Sequence, residues 1–155
     1  MKDPVPEFED VLASHGFRRI KKGDRDYICR AILKRQTLNM NRAIAVVDVA
    51  SLPHDPAPLL KKIKKEVAFR CGFFPLFYGI GTQLVLIVSG PTPTKIDPGS
   101  YVDKYDNQWS IIQSVFIVHP EVGLVATART WGQRISGKYQ DAIEAMLTGA
   151  TPVTK

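Results

Sequence analysis

Three histidines, two cysteines and a scatter of carboxylates are the side chains here that could do polar chemistry, so their spacing is tested first. His15, His54 and His119 stand apart, and none lies in a Gly-x-Ser-x-Gly elbow or a cysteine–histidine signature. His15 falls in the last turn of a first helix, where positive charge is favoured. His119 precedes Pro120 at a strand end, and His54 sits between Pro53 and Asp55 in a loop. Cys29 and Cys71 are 42 positions apart, with no further Cys or His at ligand spacing. That excludes the zinc and dithiol motifs, and no cofactor or metal is expected. Gly79-Ile80-Gly81 leads into a strand rather than a helix, so it reads as a turn and not as a phosphate cradle.

One set of charged residues has a pattern with a catalytic precedent. Asp26 opens the second expected strand, Asp48 lies on the third, and Lys61 and Lys62 follow on the next helix. Two carboxylates and a lysine can hold a divalent ion and activate water. The order helix, three strands, helix, strand resembles restriction-endonuclease-like nucleases, which carry an acid on the second strand and Asp/Glu-x-Lys on the third. The position two after Asp48 is Ala50, so the lysine of that motif is missing. The resemblance covers about half the chain and rests on element order. It implies, as an alternative, a nuclease-like or degenerate nuclease-like domain with Asp26, Asp48 and Lys61 as its catalytic set.

The net charge of +6 is unevenly placed. Residues 1–75 hold fifteen Lys and Arg against nine Asp and Glu; residues 76–155 hold six of each. The excess gathers at Arg18, Arg19, Lys21 and Lys22, and again at Lys61, Lys62 and Lys65. These are the candidate contacts for an anion or a nucleic acid. No RNP signature, helix-turn-helix pair or zinc finger accompanies them, and nucleic acid is not the favoured partner. Aromatic residues point elsewhere. Phe73, Phe74, Phe77 and Tyr78 crowd into six positions, more than one strand face can bury by alternation. Tyr101, Tyr105 and Trp109 sit in or beside a long irregular segment, from Gly90 to about Gln108, that could also cover a small-ligand pocket. The expected function is therefore a non-enzymatic protein-interaction domain. It binds another protein or, in the simplest form, a second copy of itself through this aromatic surface.

These residues need a scaffold. Phe8, Val11 and Leu12 make a helical stripe closed by Gly16, giving a helix over about 6–15. A short strand at Phe17–Lys21, an alternating strand from Tyr27 to Lys34 and the apolar run Ala43–Val49 form a three-stranded meander. A second helix over about 56–71 stacks Leu60, Ile63, Val67 and Cys71 on one side and its lysines on the other. Cys71 to Thr94 carries no charge for 24 residues, nearly a membrane span. Pro75, Gly79, Gly81 and Gln83 interrupt it, so it reads as Phe74–Tyr78, a turn at Gly79–Thr82 and a strand over Gln83–Ser89. Trp109–His119 and Leu124–Trp131 make a hairpin around Pro120–Gly123, and a last helix spans about 137–148.

The fold expected is α+β: one mostly antiparallel twisted sheet of about six strands, with helices mainly on one face, in the order α-β-β-β-α-β(β)-β-β-α. Residues 1–149 form a single domain and 150–155 a loose tail. The start, MKDPVPEFED, is no signal peptide, and with no membrane segment the expected compartment is cytoplasmic.

Overall fold

The computed structural model describes residues 3–21, 26–36, 40–71, 79–103, 110–130 and 133–149. The elements are α1 (Val5–Ala13), β1 (Arg18–Arg19), β2 (Cys29–Gln36), β3 (Met40–Val49), α2 (Ala57–Arg70), β4 (Gly79–Val88), β5 (Ser110–His119), β6 (Gly123–Arg129) and α3 (Gln133–Thr148). A 3-10 turn, Pro98–Tyr101, lies between β4 and β5. The strands form one six-stranded sheet in chain order, with β1 and β6 at its edges. The α+β architecture and the element order are those expected.

Strand direction is where the sheet departs from a simple meander. β1–β2, β2–β3 and β5–β6 pair antiparallel, whereas β3–β4 and β4–β5 pair parallel. Parallel neighbours need a crossover, and α2 and the segment holding the 3-10 turn supply the two. Being central, β3 and β4 are covered on both faces, which is why they read as near-continuous apolar runs.

Alternation sorts the strand residues between two cores. α2, with Tyr101 and Ile96, covers the face carrying Ala43, Ala45, Val47, Leu84, Leu86 and Val115. α1 and α3 together cover the opposite face, against Ile44, Val46, Val85 and Phe116. Two of the three helices thus share a face, and α2 lies alone on the other. Phe8 and Leu12 of α1 are fully buried there, each contributing about 1.5–3 kcal/mol of transfer free energy.

The α1/α3 face also buries a polar cluster. Gln83 Nε2 donates to Gln113 Oε1 at 2.9 Å, and Gln140 Nε2 of α3 donates to Gln83 Oε1 at 3.0 Å. The Ser114 hydroxyl donates to the same Gln83 oxygen. Nearby, Arg35 and Arg42 oppose one another across β2–β3, and both guanidiniums lie over the Tyr139 ring, at 5.2 and 5.6 Å from its centre. Burial, and then the charge of Arg35, push the Arg42 pKa down.

Three expectations are corrected. Gly79–Thr82 is not a turn: β4 runs unbroken through it. Gly81 serves packing instead, because a Cβ there would stand 2.7 Å from Gln113 Oε1. The first strand is only Arg18–Arg19, shorter than Phe17–Lys21. Tyr101 is not on an interaction surface; it is 4% exposed and packs into the α2-side core, where burial raises its phenol pKa. Among the described residues, no helix is long and apolar enough to cross a membrane. Residues 150–155 lie outside the described residues.

Candidate binding face on the second helix

The sequence of α2, APLLKKIKKEVAFR, turns Ile63 and Val67 into the core and leaves Lys61, Lys62 and Lys65 exposed. Three carboxylates around this helix, Glu66, Asp103 and Asp55, are committed to internal bonds, whereas Asp26 is exposed beside Lys62 and Lys65. Glu66 accepts the backbone N–H of Ile28 at 2.7 Å with one oxygen and that of Cys29 at 3.0 Å with the other. It also pairs with Arg70 at 3.5 Å, both side chains being more than nine-tenths buried. The Arg70 guanidinium lies 4.6 Å above the Tyr27 ring. Asp103 pairs with Lys64 at 3.1 Å and accepts the Ile112 N–H at 2.7 Å. Asp55 caps the helix by accepting the Ala57 N–H at 3.1 Å.

That bookkeeping decides the electrostatics of the face. Each of those three committed acids holds a strand, a crossover or a helix start in place. Lys61, Lys62 and Lys65 make no ion pair among the described residues. The outer surface of α2 is therefore a cationic crest, with Glu66, Asp103 and Asp55 turned inward and Asp26 at one flank.

A hollow runs along each flank of the crest. On the side toward β2, Ile28, Phe69, Lys62, Lys65 and Asp26 line a groove of about 330 Å³. Phe69 is 62% exposed and Ile28 40% exposed, so this groove presents hydrocarbon to solvent. On the other side, a cleft of about 900 Å³ lies between α2 and the residues Ser100, Val102, Asp103 and Ser110. No family model, curated protein or solved structure matches the chain.

The residues singled out by sequence are distributed as follows. Asp26 lines the smaller groove on the α2 side of the sheet. Asp48 lies between Val47 and Val49, which pack toward α2, so it points to the opposite face; there it pairs with Arg30 at 3.1 Å, and Arg30 reaches Asp3 at 3.4 Å. Lys61 lines the larger cleft. The three alternative catalytic residues are thus not brought together. Among the described residues, no group of three His, Cys, Asp or Glu side chains is placed to hold a metal ion. The basic set divides too: Lys61, Lys62 and Lys65 share the α2 crest, whereas Arg18 and Arg19 lie on edge strand β1, with Arg19 paired to Glu9 at 3.0 Å, and Lys21 is exposed just beyond. Lys22, Phe73, Phe74, Phe77, Tyr78, Tyr105 and Trp109 lie outside the described residues.

Both cysteines are free thiols shielded from solvent. Cys29 and Cys71 are buried in the α2-side core. Burial, then the hydrogen bond to Glu66, drive the Cys29 pKa far up. Burial pushes the Cys71 thiol up to about 11, against the opposing pull of Lys34 and Arg70. Both stay protonated at neutral pH.

Two members of the face, Phe69 and Ile28, escaped the sequence reading. The signal for Phe69 was present: Lys62, Lys65 and Phe69 recur at i, i+3, i+7, so a phenylalanine stands on the lysine side of the helix. Ile28 carries no comparable mark, since either face of an alternating strand accepts isoleucine.

Proposed function

We propose that this chain is a non-enzymatic protein-interaction domain that uses the outer face of α2, and that its partner presents an apolar side chain flanked by carboxylates. The observation that carries this reading is the exposed Phe69–Ile28 groove bordered by Lys62 and Lys65. A large apolar ring in a rimmed hollow is the usual core of a contact surface. Lysines around it select an acidic partner and steer its approach. A second copy of the chain suits this groove less well. A two-fold contact apposes identical patches and would set Lys62 and Lys65 against their own copies.

The test uses fluorescein-labelled peptides that each carry one Leu or Trp within a run of Glu, with Lys-substituted peptides as controls. The acidic peptides are expected to bind, to weaken as salt rises, and to lose about tenfold or more in affinity on Phe69→Ser, as a contact-centre residue should. Equal affinity in Phe69→Ser would remove the groove from the reading. Duplex DNA displacing the peptides outright would give the face to a polyanion instead. A dimer in light scattering that Phe69→Ser dissolves would make the partner a second copy.

A further inference from the structure

The larger cleft is chemically different from the groove that holds Phe69. Its α2 wall brings Lys61 and Lys65, one helical turn apart, together with Leu60 and the small Ala68. Across it, Lys64 bridges to Asp103, which fixes the opposite wall through the Ile112 N–H. The first turn of α2, beginning at Ala57, opens into the same space, where the Asp55 carboxylate already accepts the Ala57 N–H.

The floor holds one polar group that the described residues leave unmatched. The Ser110 hydroxyl is buried with no hydrogen-bond partner among the described residues, and its residue lines the cleft. Buried hydroxyls without partners are uncommon because each forfeits its hydration. Cationic side chains at the rim, hydrocarbon on the α2 wall and the unmatched Ser110 hydroxyl beneath describe a ligand with an anionic end and a less polar body.

We propose that this cleft binds a phosphate monoester with a flat, largely apolar body, of the size and chemistry of a mononucleotide. Lys61 and Lys65 hold the phosphate, Ala68 leaves room for the body, and Ser110 meets a polar atom on its underside. The volume, about 900 Å³, is that of a small-molecule site. The cleft lies on the opposite flank of α2 from Phe69; Lys65 lines both hollows, so Lys61 and Ser110 on one side and Phe69 on the other tell the two sites apart.

The experiment titrates isotope-labelled protein with adenosine 5′-monophosphate, inorganic phosphate and adenosine in separate arms, following amide resonances and heats of binding. The monophosphate is expected to shift the resonances of Leu60–Lys65 and Ser110–Ile112, and to bind about tenfold tighter than either fragment. Lys61→Ala with Lys65→Ala should weaken it about tenfold or more, two charge-assisted contacts being lost. Ala68→Trp should abolish binding, and Phe69→Ser should leave it unchanged. No shift at those resonances at millimolar monophosphate overturns the site, whatever the variants do. Phosphate alone binding as tightly overturns the apolar body, and adenosine alone binding as tightly overturns the role of the lysines. Should Ala68→Trp lose its fold by circular dichroism, the resonance map of the native protein decides.

Discussion

On the α1/α3 face the sheet buries amides at its centre, where Gln83 receives Ser114 and Gln140 and donates to Gln113. On the α2 face the centre is hydrocarbon with two thiols, and the charged groups sit along the flanks of the helix. The first arrangement fixes where a helix must dock, because moving Gln140 would strip Gln83, itself tied to Gln113 and Ser114, of one of its partners. The second lets α2 settle by shape and then pins it by Glu66 and Asp103 at its margins. The contrast explains where binding chemistry is available. The amide face turns Gln83, Gln113, Ser114 and the Gln140 Nε2 on one another, whereas pinning from the margins engages Glu66 and Asp103 and leaves the lysines outside.

The sharpest way to break this contrast is Glu66→Ala. It removes the acceptor for two backbone N–H groups and leaves the Arg70 guanidinium buried without its counter-charge, so a loss of about 3–5 kcal/mol is expected in urea unfolding. Gln83→Leu attacks the other face. Gln113, Ser114 and Gln140 each lose one hydrogen bond at once, and about 2–3 kcal/mol should follow, with α3 amides exchanging faster than those of α2. Thiol titration comes next. The unfolded chain releases thiol protons near pH 9 while folded Cys71 holds its proton to about 11, so unfolding is favoured as pH climbs through that window. Stability should fall by about 1 kcal/mol for this thiol between pH 8 and pH 10, and Cys71→Ala should remove about half of the thiol slope, the rest belonging to Cys29. The smallest effect is expected for Arg129→Ala, which loses Asp141 at 2.7 Å and Glu144 at 2.6 Å on the partly exposed rim of α3. About 0.5–1 kcal/mol, shrinking in salt, should be measured.

Much of the scaffold is legible in the sequence because each element carries its own local signal. The stripes Phe8–Leu12 and Ile63–Val67 mark α1 and α2, and Pro120–Gly123 marks the turn between β5 and β6. Strand direction is not local. Ala43–Val49 and Gln83–Ser89 would look the same pairing either way, since burial on both faces erases the alternation that a one-sided strand displays. Gly79–Gly81 reads as a turn because glycine usually supplies freedom of backbone; here Gly81 supplies space for an amide thirty-two positions away in the chain. The candidate face is half legible. Lys61, Lys62 and Lys65 are seen at once, but the inward commitment of Glu66 and Asp103, which makes them matter, is a tertiary fact. Tyr101 shows the converse, a loop aromatic whose hydropathy cannot say whether it faces water or core.

The two margins of the sheet are unequal: β1 is two arginines long, and β6 is seven residues. A margin so short and so charged offers no template for another chain, whereas the longer one retains a row of main-chain groups on its outer side. Among the described residues, β6 is therefore the one edge long enough for a strand of another chain to add to.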